Sequence, residues 1–173
     1  MAQQTWWDGY LDQLLTNLFV LDAIPAWTSN LLSRLLKSTK RHLVEAALVS
    51  SALGLTAAAI LRDGDLFGRV LDTFVMAHLR AEAEVSAPRW RLHHVREKEG
   101  RREIDIVAEM ATGVIALEIK ATAAPGRGDA AHLNYLRDAL GQRFLAGAVL
   151  HTGPRAFVLS NRIFAPPISN LWG

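Results

Sequence analysis

Two acidic residues and a lysine occur on neighbouring segments that carry the alternating pattern of β-strands. Asp105 lies in the segment of residues 102–109, and Glu118 and Lys120 lie in the segment of residues 114–120. Apolar and polar residues alternate in both segments and a short turn separates them, so the pattern predicts a β-hairpin. Carboxylates that share one face of a hairpin with an amine suit a site for a hard cation such as Mg²⁺.

The register of this hairpin follows from burial. A turn of two residues (111–112) or of four (110–113) leaves one face wholly apolar. A three-residue turn would place carboxylates beneath the core, where burial without partners is costly. We therefore expect the apolar face to contain the cross-strand pairs Ile104–Ile119, Ile106–Leu117 and Ala108–Ile115.

On the other face, this register sets Asp105 opposite Glu118 and Glu103 opposite Lys120. Directly opposed residues have Cβ atoms about 5 Å apart. Two carboxylates at that distance repel each other unless a cation lies between them. A plainer alternative stays open, in which Glu103 and Lys120 form a cross-strand ion pair and Asp105 is solvated.

These residue types suit metal-assisted hydrolysis of a phosphodiester. The carboxylates would bind Mg²⁺ or Mn²⁺, which acidifies a water and neutralises charge on the scissile phosphate. Lys120 would orient that water or stabilise the transition state. The helix before the hairpin offers a third carboxylate, Asp72. The predicted catalytic residues are Asp105, Glu118 and Lys120, and the predicted metal ligands are Asp72, Asp105 and Glu118.

The sequence also predicts the helices and strands around the hairpin. A helix is expected to begin at Asp63 or Asp65 and to end near Pro88. Strands are expected over residues 90–96, 103–110, 114–121 and 144–151, with a helix between the last two that starts at Asp129 and stops at Gly141. This order predicts an α/β or α+β core with a mixed sheet.

The first 62 residues have a different pattern. Residues 10–18 have helical spacing, and residues 19–27 indicate a strand and turn. Residues 35–37 and 41–44 could form the return strand. A helix followed by a β-ribbon is how a winged helix ends. Residues 46–61 are uncharged and predict a buried helical segment.

Composition excludes several classes of protein. The chain has 173 residues and no cysteine, so disulfides, cysteine-bound zinc and thiol nucleophiles are excluded. A hydrophobic fraction of 50% predicts a globular fold rather than a disordered chain. The sequence shows no signal peptide, and residues 46–61 are shorter than the ~20 residues a membrane-spanning helix needs. We therefore expect a cytoplasmic protein with no membrane partner.

Basic residues outside the hairpin suggest a path for DNA. The net charge is only +2, but arginine far outnumbers lysine among the 19 basic residues, and arginine binds phosphate through two parallel hydrogen bonds. Each basic group could also be an ordinary solvated face. The candidate nucleic-acid-binding residues are Arg34, Lys37, Lys40, Arg41, Arg96 and Arg101.

Taken in order, these segments resemble the C-terminal region of a large prokaryotic family of AAA+-type ATPases, a domain of unknown function regarded as PD-(D/E)XK nuclease-like. The resemblance covers nearly the whole chain. It is carried by residues 10–11, 18–20, 24–27, 30–35, 40–43, 53–55, 68–75, 94–107, 117–122, 146–150, 167–169 and 171–172.

The resemblance implies an α/β, restriction-endonuclease-like PD-(D/E)XK core with a mixed sheet flanked by helices over residues 63–173. A partial winged-helix extension would occupy residues 1–62. By position, the resemblance matches Asp105, Glu118 and Lys120 to the nuclease signature. It also places Asp72 at a position where relatives carry Glu. The chain departs from the pattern in lacking the signature's proline before Asp105, and relatives have an acid-small-Gly turn where this chain has residues 45–47.

The same resemblance implies that an ATPase part belongs with this domain, either as the missing N-terminal part or as a separate partner. Two functions follow as expectations: a Mg²⁺-dependent nuclease, or a non-catalytic module that binds DNA or docks an ATPase. A third reading is a residual fragment with no role of its own. Such a fragment would expose apolar surface around Leu14, Leu18 and Trp27 and form homo-oligomers.

Overall fold

The structure is a computed structural model of the chain, and it describes residues 20–27, 40–43, 46–97 and 102–172. The helices are α1 (Ala47–Leu53), α2 (Ala57–Arg62), α3 (Gly64–Val85) and α4 (Ala131–Leu140). The strands are β1 (Val20–Ile24), β2 (Lys40–Leu43), β3 (Arg91–Arg96), β4 (Glu103–Met110), β5 (Gly113–Lys120), β6 (Phe144–His151), β7 (Phe157–Ser160) and β8 (Ile163–Ala165). Short 3₁₀ segments cover Arg127–Ala130, Gly141–Arg143 and Ile168–Trp172.

Six strands form one mixed sheet in the order β3–β4–β5–β6–β8–β7. The first three strands are antiparallel neighbours, whereas β6 runs parallel to both β5 and β8. Helix α4 lies in the crossover that parallel β5 and β6 require. The α/β class and the predicted order of helix, three strands, helix and strand are confirmed.

The hairpin of β4 and β5 has the register that burial predicts. Ile106 pairs with Leu117 and Ala108 pairs with Ile115, around a two-residue turn at 111–112. The expected pairing of Ile104 with Ile119 is not part of the ladder, which starts at Ile106. The register is therefore confirmed up to the residue after Asp105.

A β-bulge explains why the ladder changes there. Between the pairs His93–Val107 and Val95–Ile104, β4 advances by three residues while β3 advances by two. One additional residue in β4 reverses the inside-outside alternation. Ile104 and Val107 consequently pack in the same core cluster. In a regular strand, two residues three positions apart would point to opposite faces of the sheet.

Helices cover both faces of the sheet. Helix α3 packs its buried side chains, such as Val75, against Ile106 and Leu117. Helix α4 packs Leu133 and Leu136 on the other face, with residues of β4, β5 and β6. The second face, which the alternating pattern assigned to polar residues, is thus apolar in its middle and acidic at its two ends, with Glu109 near the turn and Glu118 at the other end.

Helix α3 begins where the sequence predicts. The Asp63 side chain accepts hydrogen bonds from the backbone N–H groups of Asp65 and Leu66, which satisfies two of the four N–H groups that a helix start leaves unpaired. The helix then runs for 22 residues and carries Asp72 in its third turn. Its capped start therefore fixes the position of a predicted site residue.

The N-terminal ribbon of β1 and β2 confirms the return strand where it was expected at residues 41–44, since Ile24 pairs with Lys40 and Ala23 with Arg41. Residues 35–37 lie outside the described residues. The ribbon joins the sheet edge through Trp27, whose backbone N–H donates to the His94 carbonyl over 2.8 Å. Trp27 is 2% exposed, so the expectation of exposed apolar surface there was wrong. The expected helix over residues 10–18, with Leu14 and Leu18, lies outside the described residues.

Residues 46–61 do not form the buried helix that their composition predicts. They form α1 and α2, separated at Gly54, which has a φ of +62°. Helix α1 has no buried residue, and Leu61 of α2 is 62% exposed. Only Ala46 and Ile60 of this stretch are buried. Among the described helices, none combines the length and the apolar character that a membrane crossing requires.

Candidate functional site

Four of the predicted site residues meet at the end of the sheet away from the β4–β5 turn. Asp105 lies within the β-bulge of β4, Glu118 and Lys120 lie at the end of β5, and Asp72 faces them from α3. The fifth member is Lys40 of β2, whose ammonium contacts two of the carboxylates. The site therefore draws on the ribbon, the helix and the hairpin.

Asp105 is held as an anion. Its Oδ2 accepts a hydrogen bond from the Ile119 N–H over 3.0 Å, and its Oδ1 lies 2.8 Å from Lys40 Nζ. The carboxylate thus takes a backbone donor of β5 beyond the end of the β4–β5 ladder. Burial opposes ionisation, but the Lys40 charge and these hydrogen bonds hold the pKa of Asp105 below its ordinary value.

Unlike Asp105, Glu118 favours its protonated, uncharged form. Its side chain is only 5% exposed, and burial together with the negative charge of Asp105 raises its pKa to about 9. The mutual interaction of the two carboxyl groups favours the protonated form of Glu118 and the ionised form of Asp105. At neutral pH the pair therefore carries one proton, and Glu118 holds it.

Two cationic or polar groups flank Glu118. Lys120 Nζ lies 3.5 Å from Oε2, and His132 Nδ1 of α4 lies 3.5 Å from Oε1. The His132 Nδ1–H donates to the Glu103 carbonyl over 2.7 Å, so its proton is engaged elsewhere. Glu118 Oε1 is buried without a hydrogen-bond partner among the described residues, a state that a buried oxygen rarely keeps without an ion or water.

Lys40 is the internal counter-ion of the acidic residues. Its Nζ lies 3.1 Å from Asp72 Oδ2 and 4.0 Å from Glu103 Oε1, in addition to its contact with Asp105. Burial alone would lower the pKa of Lys40, but the charges of Asp105 and Asp72 raise it overall. Burial and the neighbouring Asp105 charge raise the pKa of Asp72 to about 6. An ammonium therefore stands between two of the three predicted metal ligands.

His42 lies next to this ammonium in the same strand. It is 5% exposed, and burial together with the positive charge of Lys40 lowers its pKa to about 4. His42 is therefore neutral at physiological pH and adds no charge to the cluster. Its Nε2 has no hydrogen-bond partner among the described residues.

The remaining predicted residues lie apart from the cluster or outside the described residues. Arg96 is exposed and pairs with Glu103 over 2.9 Å. Glu103 and Lys120 form no ion pair with each other in the described part of the chain, and Asp105 is 14% exposed rather than solvated. Arg34, Lys37 and Arg101 lie outside the described residues, and so does the side chain of Arg41.

Sequence reasoning assigned Lys40 to a DNA path and did not bring it to the carboxylates. Nothing in local spacing signals this contact, because 65 positions separate Lys40 from Asp105. His132 was likewise not singled out, although its position at the start of the predicted second helix was correct. Within the described ranges, no group of three or more His, Asp or Glu side chains has an arrangement that would hold a metal ion as it stands.

Comparison with known proteins adds a family but no activity. No curated protein matches the chain. A family model described as a domain of unknown function, DUF4143, matches residues 67–171. The match spans α3, the hairpin, α4 and the last three strands, and so contains Asp72, Asp105, Glu118 and Lys120. The chain therefore belongs to the DUF4143 family.

Proposed function

We propose that this chain is a nuclease-like, DNA-associated domain whose carboxylate cluster serves metal-dependent hydrolysis of phosphodiesters. The observation that carries the proposal is the placement of three groups at one end of the sheet: the buried Glu118 carboxyl, Lys120 Nζ at 3.5 Å from it, and the Asp105 carboxylate, which accepts from the Ile119 N–H next to Glu118. Perturbed carboxyl pairs of this kind are concentrated at functional sites. The order of α3, β3–β5, α4 and β6 supports a PD-(D/E)XK, restriction-endonuclease-like core.

The donor set suits a hard divalent cation, Mg²⁺ or Mn²⁺. Carboxylate oxygens are the protein ligands that Mg²⁺ prefers, and the unpartnered buried Oε1 of Glu118 is an oxygen available to such an ion. Asp72, Asp105 and Glu118 would hold it. When bound, the ion would neutralise charge on a phosphodiester and lower the pKa of a water.

The chain's own residues prepare this site in different ways. Asp105 is ionised and fixed by the Ile119 N–H, so it offers an oxygen without rearrangement. Glu118 must release its proton before it binds a cation. Lys120 is 38% exposed and can reach a phosphate oxygen or a water in front of Glu118. Lys40 must leave its position between Asp72 and Asp105 before an ion can bind both carboxylates.

A non-catalytic module is the second candidate. It is favoured by the Lys40 ammonium, which neutralises Asp72 and Asp105 without any metal. In this reading the cluster is a structural ion-pair network, and the domain binds DNA or docks an AAA+-type ATPase. The ribbon of β1 and β2 would be the end of a partial winged helix, and the protein would act in the cytoplasm.

Plasmid nicking separates the two candidates. Supercoiled DNA is incubated with Mg²⁺ or Mn²⁺ and with the wild type, Glu118→Gln or Lys120→Met. An exposed carboxylate on α4, Asp138→Asn, is the matched control. We expect nicking by the wild type and the control, and a loss of at least about 100-fold in the other two variants. Equal activity in all four proteins would remove the proposed site, and no nicking with either metal would favour the module.

A further inference from the structure

A second charged site lies at the other end of the hairpin. A cleft of about 420 Å³ opens beside the β4–β5 turn. It is lined by Arg89, Arg91, Glu109, Met110, Ala111 and Arg143. Met110 is five positions after Asp105 in β4, which at the rise of an extended strand is roughly 16 Å. One small ligand cannot touch both this cleft and the carboxylate cluster.

The three arginines reach the cleft from two parts of the chain that are distant in sequence. Arg89 precedes β3, Arg91 begins β3, and Arg143 ends the 3₁₀ segment before β6. All three are exposed, so their guanidinium groups are accessible to a ligand. The fold therefore adds Arg143 to the local pair of Arg89 and Arg91 and so raises the concentration of positive charge in the cleft.

The cleft holds more positive charge than its acid neutralises. Glu109 is its one lining carboxylate among the described residues, and this carboxylate already faces Arg143 over 3.4 Å and His93 over 3.5 Å. Arg89 and Arg91 have no ion-pair partner in the same described ranges, although Glu109 is the cross-strand neighbour of Arg91. Like charges brought together without counter-ions repel, and an anion in the cleft relieves that repulsion.

We propose that this cleft binds a phosphate group of a nucleic-acid backbone. Guanidinium groups match the geometry of phosphate oxygens through paired hydrogen bonds. The inference rests on the proposed function for its class of ligand, since it adds an anchoring contact for the same substrate. Successive phosphates of a strand in a duplex advance by about 3.4 Å along the helix axis. The cleft would therefore hold a phosphate some four or five nucleotides from the one at the carboxylate cluster.

Binding of a labelled DNA duplex, measured by fluorescence anisotropy over a range of salt concentrations without divalent metal, tests the inference. The variants are Arg91→Ala, Arg143→Ala and the charge-retaining Arg91→Lys. Arg69→Ala is the control, because Arg69 is an exposed arginine on α3 whose partner is Asp65. All the altered side chains are exposed, and circular dichroism checks that each variant is folded.

We expect Arg91→Ala and Arg143→Ala to weaken binding at least about fivefold. Each should also lower the slope of log K against log salt by about 0.9 for every phosphate that the variant no longer neutralises. Arg91→Lys should recover part of the affinity, and Arg69→Ala should bind like the wild type. Equal affinities in all four variants would overturn the inference. An effect limited to inorganic phosphate, titrated in parallel, would also overturn it, because the ligand would then be a free anion.

This test is independent of the carboxylate cluster. If nicking is absent but the Arg91 and Arg143 variants still weaken DNA binding, the cleft stands and the nuclease proposal fails. If nicking depends on Glu118 while all arginine variants bind DNA equally, the nuclease proposal stands and the cleft fails. The two results are therefore distinguishable in one set of proteins.

Discussion

Lys40 Nζ lies 2.8 Å from Asp105 Oδ1 although the two residues are 65 positions apart. Lys40 belongs to the N-terminal ribbon, and Asp105 belongs to the sheet. The contact therefore ties the ribbon to the end of the sheet where buried carboxylates collect. It also puts a monovalent cation at the place where the proposed function requires a divalent one.

Replacing Lys40 tests whether it competes with a metal. Lys40→Met removes the ammonium and leaves Asp72 and Asp105 without a counter-ion, so we expect Mn²⁺ affinity to rise at least about tenfold. Without metal, the variant should lose about 1–3 kcal/mol of unfolding free energy, because it leaves partly buried carboxylates unpaired. Saturating Mn²⁺ should restore that stability. Calorimetry and thermal unfolding measure both effects.

Arg96→Met is the matched control for this change. Arg96 also pairs with an acid, Glu103, but its side chain is 47% exposed. Exposed pairs contribute about 0–1 kcal/mol, and this one lacks contact with Asp72 and Asp105. Unchanged Mn²⁺ affinity in Lys40→Met would show that the ammonium is only a structural partner.

The Glu118 carboxyl makes stability depend on pH. Burial and the Asp105 charge raise its pKa from 4.5 to about 9. Between these values the folded protein holds a proton that the unfolded chain has released. The stabilisation from protonated Glu118 is therefore complete below pH 4.5 and is lost as the pH rises towards 9. Wild-type stability should fall over this range for this reason.

Glu118→Gln keeps the uncharged form at every pH. At pH 8 we expect its free energy of unfolding to exceed that of the wild type by about 1 kcal/mol or more. For a chain of this size, that difference raises the melting temperature by roughly 2–4 °C. The difference should shrink below pH 5. Thermal unfolding between pH 4.5 and 8.5 measures it, with Glu84→Gln, an exposed change on α3, as the control. Parallel pH curves for the wild type and Glu118→Gln would contradict the buried-proton account.

The cap of α3 contributes to holding Asp72 in place. Asp63→Ala removes the side chain that accepts two backbone hydrogen bonds at the start of this helix. We expect a loss of about 1 kcal/mol of unfolding free energy, as for other N-cap residues. Asp63→Asn keeps an acceptor oxygen and should lose much less. Chemical denaturation of the three proteins checks the order, and equal losses in both variants would exclude the capping role.

The sequence predicted the structure correctly where apolar and polar residues alternate along neighbouring strands. The hairpin register followed from Ile106, Ala108, Ile115 and Leu117, because any other register would have exposed them or buried acids. The bulge at Asp105 was not predictable, since it depends on pairing with a third strand. The sequence reading also missed β7 and β8, which are too short for a periodic pattern to be distinctive.

The sequence also failed to predict long-range contacts and the exposure of apolar segments. The contact of Lys40 with Asp105 is a product of tertiary packing, and no spacing along the chain encodes it. Residues 46–61 have an apolar composition, but only Ala46, just before α1, and Ile60 of α2 are buried. Composition alone does not say whether a neighbouring surface is available to bury a segment.

Calorimetric titration of Mn²⁺ in two buffers of different ionisation enthalpy tests the central claim most directly. At pH 7 the wild type should bind one ion per chain and release close to one proton, because Glu118 must deprotonate as the ion binds. Glu118→Gln should bind at least about tenfold more weakly and release no proton. Absent binding by the wild type, or equal binding and proton release in both proteins, would contradict a metal site at Asp105 and Glu118.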